Sequence, residues 1–122
     1  MQDKIPFLVA HRGYPACFPE NTLEGISAAL AAGARYVEFD IQLSADGVPV
    51  LIHDQNLMRA ADINIKVSRT KFAALKQYSV GEPGRFGDKF AHVQLPSLDE
   101  TVELLKQWPG SRAIVEIKRS GY

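Results

Sequence analysis

Glu38 and Asp40 stand two residues apart in a β-prone run, so in a strand their side chains share one face. Glu116 and Lys118 repeat that spacing in a later run. Carboxylates gathered in a partly buried place repel one another, and either a cation joins them or one stays protonated. A hard divalent ion relieves the repulsion, and an all-oxygen donor set suits magnesium or calcium better than zinc. His11-Arg12 and His53-Asp54 close two further apolar runs. Two imidazoles can divide general acid and base work near neutral pH. Arg12 and Lys118 can hold phosphate oxygens, the arginine by a two-pronged contact. Carboxylates, a cation, two histidines and two basic groups suit phosphodiester cleavage better than other reaction classes.

Each of these residues also has a plainer reading. Glu38 and Asp40 alone describe a solvated strand face, and His53 alone a structural histidine. Arg12 can bond loop carbonyls, and Lys118 can be an ion-pair partner of Glu116. Asn21 reads as a helix cap, and Cys17 has no base beside it. Tyr14 and Phe18 suit a pocket wall or loop packing equally.

The surrounding elements decide whether the clusters meet. Pro6 to His11 is a continuous apolar run, the mark of a strand buried on both faces. Asn21 followed by Glu24 has the form of a capping box, which predicts a helix over 22–32 stopped by Gly33. Residues 35–43 form a second strand, and Asp46-Gly47 a tight turn into a partner strand over 48–52. A two-residue turn there sets Asp40 opposite His53, with paired Cβ atoms about 4.5–5.5 Å apart. A three-residue turn would slip that register by one.

Residues 55–95 are irregular and rich in glycine and proline, and they read as an insertion with one short helix capped by Thr70 and running through Gln77. Ser97 and Glu100 form a second capping box, and Leu98, Val102 and Leu105 mark the inner face of its helix. Residues 112–117 are the third parallel strand. Strands alternating with helices predict an α/β fold with a parallel sheet and crossover helices.

The 122 residues suffice for one compact domain, and 46% apolar residues can supply a core. Fourteen basic residues balance fourteen acidic ones, which argues against a nucleic-acid surface. The longest apolar runs are too short for a membrane span. Without the apolar core of a signal peptide near Met1, and with one cysteine, a cytoplasmic location is the default expectation.

The motifs together resemble the glycerophosphodiester phosphodiesterases. His11-Arg12-Gly13 leads to Pro19-Glu20-Asn21-Thr22. Glu38-Phe39-Asp40, Asp46-Gly47-Val48-Pro49-Val50 and His53-Asp54 follow in the family's order, then Leu95-Pro96-Ser97-Leu98-Asp99-Glu100 and Glu116-Ile117-Lys118. The resemblance implies a (β/α)₈ TIM barrel of which only about the first three strands are present, with residues 55–95 as the family's small cap inserted in it. It implies a metal-dependent enzyme that cleaves glycerophosphodiesters to an alcohol and glycerol 3-phosphate. Glu38, Asp40 and Glu116 match the metal ligands, and His11 and His53 the catalytic acid–base pair. Arg12 and Lys118 match phosphate contacts, and Glu20 a supporting position. The family's substrate is thought to attack phosphorus with its own 2-hydroxyl, giving a cyclic phosphate that water opens.

A whole barrel takes about 250 residues, and the family's pocket also draws on later loops. The isolated chain is therefore not expected to suffice for turnover. An open half-barrel exposes strand edges and is expected to self-associate through them. Two alternatives stay open: a phospholipase D-type or phosphoinositide-cleaving enzyme on the same barrel, and a half-barrel that binds without catalysing.

Overall fold

The computed structural model describes residues 9–118. The expected start of the first strand at Pro6 lies outside them.

The central strand is β2, Tyr36–Leu43. Its neighbour β1, Val9–His11, runs parallel to it, pairing Val9 with Tyr36 and His11 with Glu38. Beyond the turn, β3 is Pro49–Leu51 and runs antiparallel to the far end of β2, pairing Ile41 with Leu51. β1 and β3 share one edge of β2. Glu38 O accepts from Arg12 N at 2.7 Å and Asp40 O from Ile52 N at 3.1 Å, and carbonyls two residues apart point the same way. The other edge carries β4, Arg112–Ile117, parallel and in register from Tyr36↔Arg112 to Ile41↔Ile117. Helix α1, Leu23–Ala31, links β1 to β2.

After β3 the chain makes three short α-helices, α2, Met58–Ala61; α3, Phe72–Leu75; and α4, Pro83–Phe86, with a 3-10 turn at Val67–Arg69. Helix α5, Leu98–Leu105, leads into β4.

Strand β2 is buried on both faces. Val37, Phe39 and Ile41 pack with Ile26, Ala29 and Leu30 of α1 and with Leu98, Leu104 and Leu105 of α5. Each large apolar side chain so buried contributes roughly 1.5–3 kcal/mol. The opposite face presents Glu38, Asp40 and Gln42, all buried. A second core of Leu57, Val67, Leu75, Val80, Phe90, Val93 and Leu95 lies over Val50 and Ile52. Phe18 of the loop after β1 meets Phe90 in a tilted ring contact at 5.6 Å, which ties it to loop packing.

Several local expectations change. The residue capping α1 is Thr22, not Asn21: its Oγ1 accepts from Gly25 N at 3.1 Å, and its backbone is extended as a cap requires. Asn21 is left-handed at φ 56°, and its side chain is engaged elsewhere. The hairpin turn has three residues. Ser44 N donates to Val48 O at 3.0 Å, Gly47 N donates to Ser44 O at 3.0 Å, and Gly47 sits at φ 79°. This is the pattern of a turn closed by a left-handed glycine. The predicted helix from Thr70 shortens to α3, because Thr70 Oγ1 donates to Lys66 O and Asp46 Oδ1 of the hairpin accepts from Phe72 N. The Ser97–Glu100 capping box is present on α5. Val102, expected inward, is exposed, while Thr101 is fully buried and donates its hydroxyl to Ser97 O.

Candidate active site

The site forms where β1, β2 and β4 end and the chain leaves β3. Pairing Asp40 with Glu116 puts their side chains on one face, and Glu38 lies two residues back on that face. Glu38, Asp40 and Glu116 each bring a carboxylate oxygen within 4.8 Å of the others. Burial raises the Glu38 carboxyl above its ordinary value, and the neighbouring Asp40 adds to this. Lys118 Nζ lies 3.1 Å from Glu116 Oε2 and holds that carboxyl below its ordinary value. The plain ion pair between Lys118 and Glu116 is thus present, and Lys118 also reaches to 3.9 Å from Asp40 Oδ1.

Asp40 is 1% exposed, and its Oδ1 has no hydrogen-bond partner among the described residues. An orphaned buried carboxylate oxygen beside two further carboxylates is an acceptor set suited to a hard cation.

Asp40 is held from the other side by Asn21. Asn21 Nδ2 donates to Asp40 Oδ2 at 3.1 Å, and Asp40 N donates to Asn21 Oδ1 at 3.1 Å. Arg12 has a left-handed backbone at φ 58° and donates its N–H to Glu38 O and to Glu38 Oε1. Its Nε stands 3.3 Å from Asp40 Oδ2, and its Nη1 donates to Glu20 Oε1 at 3.2 Å. Arg12 therefore engages side-chain carboxylates rather than loop carbonyls. His11 Nε2 lies 3.5 Å from Glu38 Oε1 with a largely exposed ring.

His53 is not opposite Asp40. The third turn residue slips the register, and Ile52 takes that place. His53 instead follows the end of β3, with Nδ1 2.7 Å from Asp54 Oδ1. Gln42 fixes this bend: its buried Nε2 lies within hydrogen-bond distance of the carbonyls of Ile52, His53 and Asp54, at 3.2, 3.1 and 2.7 Å. Arg59 of α2 holds the Asp54 carboxyl well below its ordinary range, at about 2. Burial opposes charge on Glu20, but Arg59 and Arg12 outweigh it and lower its carboxyl.

Asn21, Gln42 and Arg59 were not expected here. Gln42 had a legible signal, since it continues the two-residue spacing of Glu38 and Asp40. Asn21 was masked by its suitability as a cap, and Arg59 carries no local signal at all.

The profile of the glycerophosphoryl diester phosphodiesterase family matches residues 11–120. A glycerophosphodiester phosphodiesterase of Bacillus altitudinis is 33% identical over 115 residues, covering 94% of this chain and 46% of that protein. One from Caldanaerobacter subterraneus is 36% identical over 98 residues, covering 80% of this chain and 40% of that protein. The chain thus spans less than half the length of these relatives. A phosphodiesterase of Oleispira antarctica, solved in complex with the product sn-glycerol-3-phosphate, superposes with a TM-score of 0.85 at 35% identity. That match covers 97% of this chain and 47% of the other. Among the described residues no helix is long and apolar enough to cross a membrane. The sheet is the N-terminal part of a TIM barrel. With its three-carboxylate cluster and its matched motifs, the chain belongs to the glycerophosphoryl diester phosphodiesterase family.

Proposed function

We propose that this chain carries the metal-binding and acid–base half of an enzyme that hydrolyses glycerophosphodiesters with a divalent cation, magnesium or calcium. The observation that carries the reading is the meeting of Glu38, Asp40 and Glu116 within 4.8 Å, with Arg12 and Lys118 against the same carboxylates. Glu38, Asp40 and Glu116 would hold the ion, which when bound supplies electrophilic stabilisation of charge on the phosphate oxygens.

The chain's own residues do the rest. Arg12 and Lys118 flank the cluster and contact the phosphate, so that its negative charge meets donors fixed in advance. The glycerol 2-hydroxyl attacks phosphorus, and one imidazole takes its proton. The other imidazole gives a proton to the departing alcohol as the phosphorus–oxygen bond breaks. Water then opens the cyclic phosphate to glycerol 3-phosphate with the proton roles exchanged. His11 ends β1 and His53 follows β3, so the two imidazoles come from different strands. Residues 55–95 would serve as the small cap of this site, and the apolar core they share with Val50 and Ile52 supports that reading.

The test is hydrolysis of glycerophosphocholine by the full-length protein. Chelation is expected to abolish turnover, and magnesium or calcium to restore it. His11→Asn and His53→Asn should each lower kcat by about 10²–10⁴. Activity indifferent to chelation, or to both substitutions, would overturn the reading.

A further inference from the structure

Arg59 lies on α2, in the inserted stretch, outside the matched catalytic motifs. Its guanidinium grips two carboxylates at once. Nε donates to Asp54 Oδ2 at 2.9 Å and Nη2 to Asp54 Oδ1 at 3.0 Å. Nη1 donates to Glu20 Oε1 at 3.0 Å and Nη2 to Glu20 Oε2 at 2.7 Å. Four hydrogen bonds from one guanidinium favour the ionised form of both carboxylates, and Arg59 helps hold both carboxyls below their ordinary values.

Each gripped carboxylate holds a proposed catalytic or phosphate-binding side chain with its remaining capacity. Asp54 Oδ1 is 2.7 Å from His53 Nδ1, and Glu20 Oε1 accepts from Arg12 Nη1 at 3.2 Å. We propose that Arg59 is a positioning residue that acts through Asp54 and Glu20 to aim His53 and Arg12 at the same phosphate. The inference rests on the hydrolase reading above and extends it to the inserted segment.

The physical consequence falls on His53 first. A carboxylate fixed beside Nδ1 selects the tautomer that carries its proton there and leaves Nε2 free for acid–base work. Asp54 is partly exposed, and among the described residues Arg59 and His53 are the partners of its carboxylate. Without Arg59, water competes for the Asp54 oxygens and the carboxylate rotates. Lysine cannot replace the grip, because a single ammonium lacks the fork that spans two carboxylates.

A different basic residue of the same segment provides the control. Arg85 ties α4 to the loop after β1, donating to Pro15 O at 2.7 Å and to Glu82, without reaching Asp54. Arg85→Gln loosens the segment and leaves the aim of His53 alone.

The experiment uses the full-length protein with Arg59→Gln, Arg59→Lys and Arg85→Gln. Side-chain nitrogen NMR of His53 is recorded without metal, and kcat and KM for glycerophosphocholine with magnesium. The wild type and Arg85→Gln are expected to hold neutral His53 in one form, protonated at Nδ1. Both Arg59 variants should show a tautomer mixture and lose kcat by about 10- to 100-fold, with KM changed much less. Within an Asp54→Asn background, Arg59→Gln should cost less than it does alone. A single His53 tautomer retained in Arg59→Gln would overturn the proposal, as would an equal disturbance by Arg85→Gln. A wild type that hydrolyses no glycerophosphodiester defeats the hydrolase reading instead, and the tautomer measurement still decides what Arg59 does to His53.

Discussion

Asn21 and Asp40 form a closed pair of hydrogen bonds, side-chain amide to carboxylate and backbone N–H to amide oxygen, both at 3.1 Å and both buried. The pair fixes the least exposed carboxylate of the cluster. Asn21→Gly keeps the left-handed backbone without steric strain but leaves Asp40 N unpaired. It is expected to lower unfolding free energy by about 1–3 kcal/mol. Divalent-ion affinity should fall roughly 10- to 100-fold, because the carboxylate loses its orienting partner. Denaturant unfolding and calorimetric titration check both, and a variant that matches the wild type in each would refute the role.

Asp54 links pH to stability. Its carboxyl lies at about 2 in the folded protein, held down first by hydrogen bonds from Arg59 and then, against the cost of burial, by His53. A depressed folded value means that the stabilisation is present above the unfolded value of about 4 and is lost as pH falls through about 2. Partial exposure screens the pair, so about 1 kcal/mol is expected at neutral pH. Asp54→Asn should therefore destabilise the protein at pH 7 and lose that effect with acidification. An equal difference at neutral and strongly acid pH would contradict the linkage.

Gly13 packs the loop after β1 onto the start of α1. A Cβ there would stand 3.1 Å from both Gly25 C and Ile26 N, and the backbone lies at φ 90°. Gly13→Ala combines a close backbone contact with an unfavourable conformation and should cost about 1–3 kcal/mol. Because Arg12 precedes it, the variant should also weaken phosphate binding. Thermal unfolding and a titration with glycerol 3-phosphate would show whether either loss is absent.

Strand β4 leaves Ile114, Val115 and Ile117 at 45%, 39% and 76% exposure, and among the described residues it pairs with β2 alone. A free edge flanked by apolar side chains recruits another strand. The 122-residue chain by itself is expected to self-associate with rising concentration in sedimentation experiments. Ile117→Lys, on the face opposite Glu116, should reduce the association. A chain that stays monomeric across the range would refute this.

The sequence determined by itself where the main strands run, where α5 starts and which two carboxylates share a face. Apolar runs and turn residues set β1, β2 and β4, Ser97 and Glu100 set the start of α5, and the two-residue spacing of Glu38 and Asp40 placed both on one face. These are local consequences of backbone period and capping, and they need no knowledge of neighbours. Tertiary structure decided whatever depends on which atoms arrive from elsewhere. Whether Ala45, Asp46 and Gly47 all join the turn set the register that moved His53 away from Asp40. Asn21 yielded the cap to Thr22 because Asp40, nineteen residues along, took its amide. Arg59 meets Glu20 and Asp54 only because α2 packs against the loop after β1. A side chain that could satisfy several partners is committed by the one that burial leaves without water, and that choice is made in three dimensions.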